Sequence, residues 1–141
     1  MPRRLVLLTM LILLHWLVVL PAYALNFAQG EWEFVVRQSI KGMPQGMGKL
    51  EWRECLTPAN PIPTDYLQSR SCDVLESHAV YHTLRYKMSC YGDHGTFTNV
   101  GKLHFSNFKI DGNSKSEIGD VDGTKMVVRY KFRGRRIGDC P

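Results

Sequence analysis

The chain has 141 residues, 44% of them hydrophobic and 22% charged, with a formal net charge of +5 and an isoelectric point near 9.1. That length leaves room for one domain with one modest core and excludes a multidomain arrangement. The positive excess is ordinary for solubility and by itself gives no argument for nucleic acid.

Residues 1–24 read as an export signal. Arg3 and Arg4 supply a positive start, Leu5 to Leu20 is an almost unbroken apolar stretch, and Ala22 and Ala24 offer a small-x-small cleavage site before Leu25. An uncleaved membrane anchor is the competing reading. The run is short for a span, His15 interrupts it, and Pro21 breaks a helix before the exit site. Arg3 and Arg4 resemble a twin-arginine signal, but no cofactor motif follows that would demand export in the folded state. The first cysteine is Cys55, so no lipid-accepting cysteine stands at the cleavage site. The expected product is a periplasmic or secreted domain spanning residues 25–141, which meets the membrane only through its signal before cleavage.

Strands dominate that domain. From Glu31 to Lys41, the residues Trp32, Phe34, Val36 and Ile40 alternate with polar ones, the period of a half-buried strand. Glycines 42, 46 and 48 with Pro44 then mark a turn, and Lys49 to Arg53 repeats the alternation through Leu50 and Trp52. Thr57 and Pro58 resemble a helix N-cap, yet Pro61 and Pro63 arrive too soon, leaving at most one short helix around Asp65 to Ser69. Cys72 to Glu76 and Tyr81 to Cys90 are expected as a hairpin turning near Ala79. Tyr91 to Gly95 is a further turn, and Thr96 to Phe105 a further strand with Leu103 and Phe105 inward. Asn107 is expected to shift the phase as a bulge, because Phe108 and Ile110 carry the apolar face onward out of step. Asp111 to Asn113 and Asp120 to Gly123 read as turns, and Met126 to Arg133 as the last strand. The fold class is therefore all-β: a single antiparallel barrel or sandwich of about seven strands, mostly sequential hairpins, preceded by the signal helix. Trp32, Phe34, Trp52, Phe105, Phe108, Tyr130 and Phe132 are expected to fill its interior rather than line a ligand cavity.

All four cysteines fall after the signal, and an even number in an oxidising compartment implies two disulfides. Of three possible pairings, Cys72 with Cys90 and Cys55 with Cys140 is favoured. The first pair flanks the expected hairpin, and the second ties the C-terminus to the body. On a chain-entropy basis they contribute roughly 3 and 4.5 kcal/mol.

No catalytic constellation assembles from the sequence. His78, His82, His94 and His104 lack metal-ligand or nucleophile spacing, although His78 and His82 could share a strand face. Asp111, Asn113, Asp120 and Asp122 crowd together without meeting a calcium-loop consensus, and read as turn residues. The strongly basic element is the C-terminal strand, where Lys125, Arg129, Lys131, Arg133, Arg135 and Arg136 interleave with Tyr130 and Phe132. Opposite parity points these aromatics inward, so the basic residues form a solvated face with possible contact to an anionic envelope surface through Arg129, Lys131, Arg133, Arg135 and Arg136, rather than a nucleic-acid site.

Gly30 to Glu33 (GEWE), Cys55 to Pro58 (CLTP), the pair Cys72 and Cys90, and Gly134 to Pro141 (GRRIGDCP) together resemble the bacterial family called domain of unknown function 3617. The resemblance covers essentially the whole chain after the signal. It implies small exported proteins of Gram-negative bacteria, and brings no catalytic residue, cofactor, metal or activity. The preferred reading is a non-enzymatic periplasmic binding or envelope-associated β module with no cofactor. Two alternatives stand beside it: a thiol-dependent enzyme or redox factor using Cys55 or Cys140 near a histidine, and a protein-directed inhibitor or chaperone presenting Thr57 to Ser71.

Overall fold

A computed structural model describes residues 25–43, 48–69, 71–93, 95–121 and 124–141. The expected export signal, with Ala22 and Ala24, lies outside the described residues, as do Pro44 and Gly46 of the first expected turn and Asp122 and Gly123 of the last. Seven antiparallel strands form one sheet: β1 (Gly30–Ile40), β2 (Lys49–Leu56), β3 (Ser71–Val80), β4 (Thr83–Gly92), β5 (Gly95–Ser106), β6 (Lys109–Val121) and β7 (Thr124–Gly138). Their order is β2-β1-β7-β6-β5-β4-β3. Strands β3 to β7 run as successive hairpins, and β1 then lies against β7, so the two ends of the chain meet inside the sheet. A single 3-10 turn, η1 (Asp65–Leu67), interrupts the segment between β2 and β3. Among the described residues no helix is long and apolar enough to cross a membrane.

The alternation expected from the sequence decides which face is inside. Trp32, Phe34 and Val36 on β1, Leu84, Tyr86 and Met88 on β4, Leu103 and Phe105 on β5, and Val128, Tyr130 and Phe132 on β7 are all buried. Among the described residues no second sheet covers them. The sheet instead curls on itself, which the position of Tyr66 demonstrates: its ring lies 5.5 Å from that of Trp52 on β2, and its hydroxyl lies 3.4 Å from that of Tyr86 on β4. Those strands stand five steps apart in the sheet, about 24 Å if it were flat. The edges β2 and β3 do not pair with each other. The segment between them bridges the gap, burying Ile62, Pro63, Tyr66 and Leu67.

Curling this tight needs close approach between strands. Tyr86 lies over Gly101, Phe132 over Gly112 and Phe34 over Gly134, each pair directly opposite in register. A Cβ at any of the three glycines would collide with the ring above it. The glycines thus let an aromatic side chain from the next strand fold down onto bare backbone.

Several elements differ from expectation. The β3–β4 turn is Tyr81 and His82, not Ala79, with Val80 opposite Thr83 and Tyr81 left-handed at φ 54°. A hydrogen bond from the Phe105 amide to the His82 carbonyl, 2.7 Å, anchors this turn to β5. Asn107 makes no bulge: Asn107 and Phe108 are a two-residue turn between Ser106 and Lys109, which restarts the alternation on a new strand. Phe108 is consequently 61% exposed and not part of the core. Asp111, Gly112 and Asn113 are no turn either but lie inside β6, because Gly112 serves Phe132 rather than chain reversal. Thr57 caps no helix; its hydroxyl and carbonyl both accept from the Asn60 amide in a local turn.

Gly134→Ala is expected to destabilise the fold by about 1–3 kcal/mol through overpacking against Phe34. Tyr81→Asn is expected to stabilise it by about 0.5 kcal/mol, since asparagine tolerates the left-handed conformation and Tyr81 is 78% exposed. Urea denaturation of the oxidised proteins measures both.

Candidate anion-binding surface

The interior is polar at one place. Tyr66 sits 2.7 Å from the Ser114 hydroxyl and 3.4 Å from the Asn99 side-chain oxygen, and Asn99 donates to Ser114 and Ser116 at 3.3 and 2.9 Å. Burial pushes the Tyr66 phenol well above its usual range and that of Tyr86 up to about 12. Both stay protonated, which suits hydrogen-bonded packing and not proton transfer near neutrality. Glu54 on β2 fixes the plug: its carboxylate accepts from the Thr64 amide at 3.0 Å, from the Thr64 hydroxyl at 3.3 Å, from the Asp65 amide at 3.4 Å and from the Trp52 indole at 3.0 Å. Burial raises its pKa above the ordinary value, partly offset by the Thr64 and Trp52 hydrogen bonds.

The sulfurs are all committed. Cys72 and Cys90 are bonded directly across β3 and β4, and Cys55 and Cys140 are bonded across the start of β1, the pairing favoured from the sequence. No cysteine is free, so a thiol nucleophile would first require reduction of a disulfide. Among the described residues no group of three or more His, Cys, Asp or Glu side chains is placed to hold a metal ion. His78 is on β3 and His82 in the turn, while the His82 and His104 rings stand 6.5 Å apart; His94 lies outside the described residues. Asp111 and Asn113 point outward from β6, and Asp111 pairs with Arg133 at 3.6 Å. The segment from Thr57 to Ser69 is largely packed into the barrel mouth, with Pro58, Ala59 and Asn60 exposed.

The basic strand β7 divides in two. Arg135 donates to Glu33 at 2.9 and 2.6 Å and holds that carboxyl below its usual range; Arg136 donates to the Gln29 carbonyl at 2.8 Å and pairs with Asp139; Arg133 faces Asp111. Arg129 and Lys131 have no ion-pair partner among the described residues. Their neighbours were not legible from β7 alone. In register, Lys131 faces Arg37, which faces Lys49; on its other side Lys131 faces Asn113, then Lys102, Arg85 and His78. One exposed row thus crosses all seven strands with five cations and no acidic side chain. Of these, only Lys49 has an ion-pair partner among the described residues, Glu51. Open hollows beside Arg85 and Lys102, between Lys102 and Lys131, and between Arg37 and Lys131 follow the row.

Residues 27–140 match the family described as proteins of unknown function, DUF3617. The chain belongs to that family. No curated protein and no solved structure matches it. The geometry explains the two stretches that carry the family resemblance most specifically. GEWE opens β1 and GRRIGDC closes β7, and they pair with each other: Phe34, next after GEWE, covers Gly134, Glu33 binds Arg135, and Cys140 is bonded to Cys55 beside Glu31. They join the two ends of the chain inside the sheet.

Glu54→Ala is expected to cost about 1–3 kcal/mol by leaving the Thr64 amide unsatisfied, and Glu54→Gln less than half of that. A raised folded pKa means that Glu54 contributes stability below its unfolded value, which is lost as pH rises through the folded value. Glu54→Gln should therefore flatten the stability difference between pH 4 and pH 7. Lys131→Glu, placed opposite Arg37, is expected to stabilise by about 0.5 kcal/mol at low salt and to lose that gain at 1 M salt. Thermal melts at both ionic strengths measure it.

Proposed function

We propose that this protein is an exported, non-enzymatic module of the periplasm that binds anionic envelope material through the outer face of its sheet. The observation that carries the reading is the row of cations from Lys49 to Arg85, in which only Lys49 has an acidic partner among the described residues. Like charges placed directly opposite each other cost stability. Neighbouring rows show that the same sheet can balance such charge, with Glu33 between Arg53 and Arg135 and Asp111 beside Arg133. An unbalanced row amid balanced ones fits a surface that meets its counter-charge in a partner.

Location outside the cytoplasm is supported by two disulfides, which persist in oxidising compartments, and by the signal-like residues 1–24. The oxidised protein should co-sediment with negatively charged envelope fractions at low ionic strength and be released towards 1 M salt, where the screening length falls to about 3 Å. Sedimentation indifferent to both charge and salt would remove the reading.

A further inference from the structure

We propose that the cation row is a binding site for a linear acidic polysaccharide that lies across the strands and wraps the convex side of the sheet. The inference rests on the anion-binding reading above and adds the shape and chemistry of the ligand. Neighbouring strands lie about 4.8 Å apart, so Lys49, Arg37 and Lys131 present charges at that spacing. Past Asn113, Lys102 and Arg85 continue the series on the next two strands. Asn113 adds an amide where a sugar hydroxyl could be bonded, and His78 stands at the far end.

Curvature selects among anions. Side chains on the inner face pack around Tyr66, so the row lies on the outside of a sheet curled tightly enough for one tyrosine to touch both β2 and β4. A flat lipid surface touches such a convex wall along a line and meets only a few strands. A flexible chain follows the bend and can meet all five cations. Chemistry separates the remaining polymers. Single-stranded nucleic acid is held by aromatic stacking platforms as well as charge, and the row contains no Phe, Tyr or Trp, only His78 at its far end; the exposed Tyr81 and Phe108 stand at hairpin turns and Tyr91 at the end of β4. A carboxylated polysaccharide offers regularly spaced charge and hydroxyls without needing stacked bases.

The test uses the oxidised protein with four probes: sodium polygalacturonate, neutral dextran, phosphatidylglycerol vesicles and a thymidine oligonucleotide, followed by calorimetry at low and high salt. The expected result is salt-sensitive binding of polygalacturonate, none of dextran, and at least tenfold weaker binding of vesicles and oligonucleotide. The double variant Arg85→Glu, Lys102→Glu should lose at least tenfold in polygalacturonate affinity, while Arg53→Gln, outside the row and beside Glu33, stays within twofold. Circular dichroism verifies that each variant is folded; Arg85→Gln, Lys102→Gln replaces the double variant if charge reversal unfolds it, with at least a threefold loss expected. Vesicles or oligonucleotide bound as tightly as polygalacturonate would overturn this inference and leave the broader reading standing. Polygalacturonate binding unaltered in the double variant would overturn the assignment to this row. Absence of binding to every anionic probe would end both.

Discussion

With no second layer to pack against, the apolar face of this sheet is hidden because the sheet curls until Trp52 on β2 and Tyr86 on β4 both reach Tyr66. Most other features follow from that constraint. Curling brings strand backbones close, which demands bare glycine beneath Tyr86, Phe132 and Phe34. It also leaves a mouth between the two edge strands, which the segment after β2 fills with apolar side chains. The plug in turn needs its own anchor, and Glu54 provides it by accepting hydrogen bonds from the backbone of the turn it faces.

The same constraint sorts charge. Along β1 and β4 to β7 alternate residues point inward, so most of the polar residues between them are pushed to the convex face whatever their role. There the register, and not the sequence spacing, decides which charges become neighbours. Glu33 falls between Arg53 and Arg135 and is satisfied twice over. Further along the same strands, Arg37 falls between Lys49 and Lys131, and repulsion replaces attraction. The outer surface thus changes character over a short distance without any change of fold.

Periodicity made much of this architecture readable before any coordinates. The alternation in β1, β4 and β7 requires only neighbouring residues along one strand, and Trp32, Phe34, Tyr130 and Phe132 fall inside as that pattern implies. Even cysteine number and a hairpin between Cys72 and Cys90 sufficed for the disulfides. Glycine was misread for a physical reason. At Gly112 it looks locally like a turn between aspartate and asparagine, whereas its purpose is set by Phe132 on another strand. The turn at Tyr81 carries no turn-forming residue at its left-handed position, so composition could not mark it. Tyr66 carries no periodic signal, because it follows Pro58, Pro61 and Pro63 in a segment without alternation. The cation row was invisible for the plainest reason: its members are scattered from residue 37 to residue 131 and become adjacent only once every register is fixed.

Pairing of β1 with β7 has a consequence in time as well as space. Whether emerging from a ribosome or threaded through a membrane, a chain arrives N-terminus first, so β1 is present long before the strand that must flank it. Until β7 arrives, Trp32, Phe34 and Val36 have β2 beside them but lack Phe132 and Gly134, which stand opposite on the missing side. Contacts this distant along the chain slow folding and prolong exposure of apolar surface. The apolar face of β1 therefore gains its second neighbour only when the last fifteen-residue strand becomes available.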